Sequence, residues 1–379
     1  DDDGTLTQIL DEEPEAGQGE SWIRIAVDPA ADPERLRRRV VGVLADVRAA
    51  VDDWQPMRRS IIELADRLPE DTRIGTADER DAAASFLRWL AEDHLTFLGC
   101  RDHVVEIGED GPTVRALPGT GLGVLRDDDA AEAITPLALG EEHREEIEHP
   151  VTVGKSEQVL AVHRVTHPDL VAVRYHDAGR LIERRYAGQF SSTAYTSSVL
   201  TIPLVADKVR AILDEGGWST RSHSGAIVMR LLETFPRDEL FQAPLDHLRQ
   251  VVTRILQLAN QLRTAVFLRR DPGGRFVTAL VYLPRERYTT SVRRQVERLL
   301  REATGADRVT FTAHVSDEPL ARLYYVLRSS DGAVTMPDAA AEERLDDDIA
   351  QRLLRVGPSD RPGPDRHRHL TAQPASGQQ

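Results

Sequence analysis

The sequence predicts an α+β protein made of two to three modules, each a small mixed or antiparallel sheet flanked by helices. Short β-rich runs bounded by Gly, Pro and Asp alternate with segments whose apolar residues recur at helical spacing. The chain has 379 residues, enough for two or three domains that each bury a core. Residues 244–328 read as a long amphipathic helix, a hairpin, a helix and two strands, which closes a ββαββ unit after the first helix.

Charge and composition exclude several classes. A net charge of -15 argues against a general nucleic-acid or anionic-membrane surface, because neutralising phosphates takes a clustered positive field. No apolar run reaches the roughly 18 residues of a membrane span, and no basic-then-apolar leader opens the chain. A cytoplasmic protein is expected. The first residue is Asp1 rather than Met, which reads as a fragment of a longer protein or a processed chain. One cysteine, Cys100, excludes an intramolecular disulfide framework, and its setting in LTFLGCRD reads as a buried small hydrophobe. Lys155 and Lys208 are the only lysines, which removes most candidates for a catalytic amine.

The elements follow in order. Residues 1–21 are polar and read as disordered. Trp22 to Val27 alternates as a strand, and Asp32 with Pro33 starts a helix carrying Leu36, Val40, Val43, Val47, Val51 and Trp54. A second helix is expected after Pro56, with Met57, Ile61, Leu64 and Leu68 on one face. Residues 22–75 thus read as the end of a first module.

A second, elaborated module is expected over 76–243. Thr76 and Glu79 have capping-box spacing, so a helix starts there and runs through Phe86, Trp89 and Leu90. His94 to Ile107 reads as a strand, and Val159 to Thr166, Leu170 to His176 and Leu181 to Tyr186 as three more, separated by turn chemistry. Leu204 to Leu213 and Gly225 to Phe235 are helical by period.

The third module covers 244–328. Its first helix, Pro244 to Leu262, carries the stripe Leu245, Leu248, Val252, Ile255, Leu258 and Leu262. The hairpin turns at Asp271-Pro272-Gly273-Gly274, a helix begins near Thr290, and Arg308 to Val315 and Ala321 to Arg328 are strands. Residues 329–379 read as a largely disordered acidic and polar tail, with one helix at Ala339 to Leu354.

The chemical motifs resolve into structural readings. GTGLGV at Gly119 to Val124 lacks the G-x-G-x-x-G spacing between strand and helix, so it reads as a flexible loop rather than a nucleotide cradle. His163, His167 and His176 lie on extended runs without metal-ligand spacing, and no metal is expected. Ser191, Ser192, Thr193, Tyr195, Thr196, Ser197 and Ser198 crowd one segment but form no G-x-S-x-G elbow, so a capped loop is expected. Arg293, Arg294, Arg298 and Arg301 make a solvated basic face on the third-module helix. No catalytic constellation and no cofactor-binding residue is identified.

Five stretches together carry a family resemblance. They are LLETFPRDELFQAPLDHLRQ from Leu231, VFLRRDPGGRFVTALVYLPRERY to Tyr288, FLRWLAEDHLTFLGCRDHVV (Phe86 to Val105), GTGLGVLRDD (Gly119 to Asp128) and GRLIERRYAGQFSSTAY (Gly179 to Tyr195). Over roughly Trp22 to Arg328 the chain resembles the N-terminal half of the large NAD-specific glutamate dehydrogenases of bacteria. The resemblance implies ACT-like modules, a regulatory and assembly role, and a parent enzyme that converts L-glutamate, NAD and water to 2-oxoglutarate, ammonia and NADH. It implies NAD in the parent enzyme and no cofactor in this segment. It also implies a catalytic domain elsewhere, and as partners that domain, other subunits in a homo-oligomer and amino-acid effectors. The matching local features for an effector are the Asp271, Gly273, Gly274 turn and the Thr289, Thr290, Ser291 helix start, which offer backbone amides to a carboxylate. Two rivals are a stand-alone amino-acid sensor or scaffold without dehydrogenase activity, and a hydrolase using the serine-rich loop.

Overall fold

The computed structural model describes residues 32–108, 111–126, 146–156, 159–259, 263–271, 274–330 and 334–355, with Arg24 and Ala26. Trp22, Ile23, Ile25 and Val27 of the expected first strand, the residues after Arg355, Leu262 and Gly273 lie outside the described residues. The chain divides into two compact units, Asp1–Ala45 and Asp46–Gln379. In the first, helix α1 (Pro33–Arg67) begins at Asp32, whose carboxylate accepts the amides of Glu34 at 3.0 Å and Arg35 at 3.3 Å.

The expected break at Pro56 is absent, since α1 runs through it. Proline removes one helical donor and crowds the preceding turn, a cost of ~3 kcal/mol. Met57, Ile61 and Leu64 beyond it are fully or almost fully buried, and that packing holds the helix together. Val51 and Trp54, on the expected apolar face, are exposed.

Two antiparallel sheets organise the second unit. The first contains β1 (Leu95–Gly108), β2 (Gly111–Ala116), β3 (Leu122–Gly123), β4 (Val151–Lys155), β5 (Asp169–Asp177) and β6 (Arg180–Phe190). Its order is β2-β1-β6-β5-β4, with β3 also on β1. The run Val159 to Thr166, expected as a strand, makes only a Leu160–Thr166 bridge. His163 there has φ 64°, which turns the chain back, and Gln189 and Arg164 tie the turn to β6.

The helices expected from Thr76, Leu204, Gly225, Pro244 and Thr290 form, and two short ones, at Ser192–Thr196 in the expected capped loop and at Arg237–Gln242, were not expected. Helix α2 (Ala77–Trp89) opens with the Thr76–Glu79 capping box, both bonds of which form. Next come α3 (Ser192–Thr196), α4 (Val205–Glu215), α5 (His223–Thr234), α6 (Arg237–Gln242) and α7 (Leu245–Ala259). The second sheet contains β7 (Ala265–Arg270), β8 (Phe276–Pro284), β9 (Arg308–His314) and β10 (Leu320–Arg328), in the order β7-β8-β10-β9. Helix α8 (Thr290–Thr304) connects β8 to β9, and α9 (Ala339–Arg355) follows.

One core joins the first sheet, α2, α4 to α7 and one face of the second sheet, through Tyr186, Phe190, Val209, Phe241, Val252 and Tyr282. Phe190 of β6 and Phe241 of α6 stack at 4.5 Å. The other face of the second sheet buries Val266, Val281 and Tyr325 against Val296 and Leu300 of α8 and Leu345 and Ile349 of α9. The fold is therefore the expected α+β class.

Candidate functional site

Helix α6 is short, yet it carries the polar contacts that reach both sheets. Asp238 faces the first. Its carboxylate accepts the Tyr195 hydroxyl at 3.0 Å and lies 3.4 Å from Lys155 Nζ, which also meets Asp169 at 2.6 Å. Desolvation pulls the Lys155 amine down, but Asp238 and Asp169 outweigh it and hold the amine well above its ordinary range.

Glu239 faces the second sheet. Arg269 of β7 donates to both of its oxygens at 2.7 Å, and the Tyr324 hydroxyl of β10 donates at 3.1 Å. Burial would raise this carboxyl, but the guanidinium of Arg269 holds it below its usual range. At the end of α6, Lys208 of α4 donates to the carbonyls of Leu240, Phe241 and Ala243 at 3.0, 3.1 and 2.8 Å. Burial, with Arg269 nearby, lowers that amine to about 8. Both lysines are thus engaged in structural cross-links.

The other motifs are engaged in structure too. GTGLGV is packed rather than a flexible loop. Gly123 pairs with Gly99 of β1, and its amide donates to the buried Asp53 carboxylate at 2.7 Å. Gly123 has φ 60°, and a Cβ there would meet Leu98 O at 2.1 Å, so only glycine fits. The serine-rich segment caps and closes α3: Ser191 accepts the Ala194 amide, Ser197 donates to Thr193 O, and Ser198 donates to Glu233. His176 meets Asp71, and His167 meets Ser156 O at 3.0 Å. Among the described residues no group of three or more His, Cys, Asp or Glu could hold a metal ion. Cys100 is buried, which raises its thiol to about 12. Arg293 and Arg301 both reach Glu297, so that basic face is paired with an acid.

The residues read as effector contacts do not come together. Asp271 is buried and accepts two bonds from Arg275, at 2.6 and 2.9 Å, while Gly274 closes the turn onto Asp271 O. Thr289 caps α8 by accepting the Val292 amide, and Thr290 and Ser291 form its first turn. All of β8 separates the two features, about 27 Å of strand. Gly273 is outside the described residues.

Sequence reasoning missed the Asp238–Glu239 clamp. No local signal marks it, because its partners Lys155, Tyr195, Arg269 and Tyr324 lie far from it in sequence.

Two antiparallel sheets held by a helical segment, with both lysines engaged in cross-links, define an α+β scaffold. Comparison with known proteins places that region more closely. Residues 265–353 match the family described as the glutamate dehydrogenase ACT2 domain, and residues 202–261 match glutamate dehydrogenase helical motif 1. The first span runs from β7 into α9, and the second takes in α4 to α7. The chain is 34% identical over 341 residues to an NAD-specific glutamate dehydrogenase of Halomonas elongata, covering 86% of this chain and 21% of the relative. It is 32% identical over 360 residues to that of Pseudomonas aeruginosa, covering 92% and 22%. It is 32% identical over 329 residues to that of Mycobacterium tuberculosis, covering 85% and 19%. The resemblance read from the sequence is borne out: the chain carries ACT and helical-motif sequence of glutamate dehydrogenase. It spans about a fifth of the length of the relatives it matches. Among the described residues no helix is long and apolar enough to cross a membrane.

Proposed function

We propose that this chain is the regulatory and assembly region of a larger cytoplasmic NAD-dependent glutamate dehydrogenase and forms no NADH by itself. The parent reaction converts L-glutamate, NAD and water to 2-oxoglutarate, ammonia and NADH. The observation that carries this reading is the presence, in one chain, of glutamate dehydrogenase ACT2 and helical-motif matches with no free amine left for catalysis. Dehydrogenation of an amino acid needs a base and a lysine held against substrate beside a dinucleotide crevice. Lys155 and Lys208 are the only lysines, and both are fixed inside the scaffold.

In this reading the partners are the parent enzyme's catalytic domain and other subunits, and the effectors are amino acids. An effector carboxylate has two separate candidate positions, the Asp271 and Gly274 turn and the Thr289, Thr290 and Ser291 helix start. Calorimetric titration of the chain with a panel of amino acids tests the regulatory half. Heat that disappears in Gly274→Val assigns binding to the hairpin. Gly274 has φ 67°, and a Cβ there would meet Arg270 at 2.9 Å, so the substitution disturbs that turn. No heat and no thermal shift with any amino acid would remove the effector role and leave assembly.

A further inference from the structure

The face of the four-stranded sheet that meets α6 carries one row of polar residues. Tyr282 of β8 pairs with Arg322 of β10, and Arg322 pairs with His314 of β9, so the three side chains leave the sheet on the same side. Tyr324 stands two residues beyond Arg322, hence on that side too, and its hydroxyl donates to Glu239, which places α6 against the row. Arg237, the first residue of α6, is buried there within reach of the Arg322 charge.

The fold leaves donors of this row unused. Arg237 gives its terminal nitrogens to the carbonyl oxygens of Leu232 at 3.4 Å and Ser197 at 2.9 Å, and reaches the Glu233 carboxylate at 3.4 Å. Its Nε is buried and has no hydrogen-bond partner. The Tyr282 hydroxyl is also buried without a well-aligned partner, although the Arg322 guanidinium lies beside it. Arg322 itself is half-buried and forms no ion pair among the described residues. Burial lowers the Arg237 guanidinium, and Arg322 adds to that shift against Glu233. Burial lowers the His314 imidazole in the same way, with Arg322 and against Glu318. Buried donors without acceptors are costly, and an oxyanion is the partner that satisfies guanidinium and phenol donors together.

We propose that this row is an amino-acid site at the seam between the helical motif and the ACT2 sheet. Arg322, the Tyr282 hydroxyl and Arg237 Nε receive the α-carboxylate, and Glu318, the acid beside Tyr282 and His314, receives the α-ammonium. Entry is from the β9 side, where His314 is exposed and Arg322 half-buried. The site is separate from both positions named above: the Asp271 and Gly274 turn lies at the other end of β8, and α8 packs on the opposite face of the sheet. Arg237 adjoins Asp238 and Glu239, so a bound ligand adds a contact to the helix that ties the two sheets. This inference rests on the effector half of the proposed function and names where the effector binds.

Calorimetric titration of the full chain with the amino-acid panel, and with 2-oxoglutarate and inorganic phosphate beside it, tests the site. The expected result is binding of an amino acid and of neither control, since both controls lack the ammonium that Glu318 would take. Arg322→Gln removes a charged donor and Tyr282→Phe removes only the unpaired hydroxyl, and each is expected to weaken binding by at least ~10-fold. Thermal unfolding without ligand should match wild type in both variants, because neither side-chain group holds the fold together. Binding unchanged in both folded variants overturns the site, and if it disappears in Gly274→Val the effector reading stands with the hairpin as its position. No binding of any amino acid overturns the site and the effector reading together.

Discussion

Asp238 and Glu239 are adjacent on α6 and bind opposite sheets, Asp238 through Lys155 and Tyr195, Glu239 through Arg269 and Tyr324. A helix of six residues therefore clamps the two sheets between consecutive carboxylates, with Lys208 holding its far end. The clamp lies at the seam between the two glutamate dehydrogenase matches: α6 falls in the helical motif and Arg269 in ACT2.

Removing one partner of the buried pair should be costly. Glu239→Ala strands the Arg269 guanidinium in the core and is expected to lower stability by ~3–5 kcal/mol. Asp238→Asn, on a less buried pair, is expected to cost about 1 kcal/mol. Urea unfolding measures both, and a Glu239→Ala midpoint equal to wild type would show that the clamp carries no load.

Helix α7 should be equally intolerant on its inner face. Ile255 is almost fully buried beside Val251 and Val252, so Ile255→Asp places an unpaired carboxylate in the shared core, at a cost of several kcal/mol on the order of 3–5. Thermal unfolding like that of the parent would mean this face is exposed.

Gly123→Ala should behave as a core substitution although it lies in a loop sequence. Its positive φ and the approach of Leu98 O leave no room for a methyl group, and a loss of roughly 2–4 kcal/mol is expected. A change below about 0.5 kcal/mol, the range of ordinary surface positions, would restore the reading of GTGLGV as a flexible loop.

Acid should act on two carboxylates with opposite sign. Desolvation opposes ionisation of Glu183, but Arg174 and Arg185 outweigh it and lower the group from 4.5 to about 2. Its contribution is therefore present above pH 4.5 and lost as pH falls toward 2, up to about 3 kcal/mol. Desolvation raises Asp346 from 3.8 to about 6, against the Val266 amide and Arg254. Its contribution is present below pH 3.8 and lost as pH rises through 6, on the order of 1 kcal/mol after screening. Asp346→Asn, which still accepts the Val266 amide, should stabilise the chain at about pH 7.5 and not at about pH 4. Equal effects at both values would contradict the assignment.

Much of this fold was legible because local chemistry decides it. The Thr76–Glu79 box, the α7 stripe and the order of elements after Pro244 each depend on neighbouring residues, and each formed as read. Pro56 misled because burial of Met57 and Ile61 outweighs a local breaker, an effect visible only once the tertiary partners are known. Val159 to Thr166 misled because alternation cannot show the left-handed turn at His163. The clamp was hidden for the same reason: Lys155, Asp238 and Arg269 are far apart in sequence, and no spacing rule brings them together.

The central claim is that this chain serves a glutamate dehydrogenase without performing its chemistry. It is tested most directly by following NADH formation from L-glutamate and NAD with the purified chain alone, beside a full-length NAD-specific glutamate dehydrogenase as positive control. The expected result is NADH from the control and none above buffer from the chain. NADH formed by the chain alone would contradict the claim.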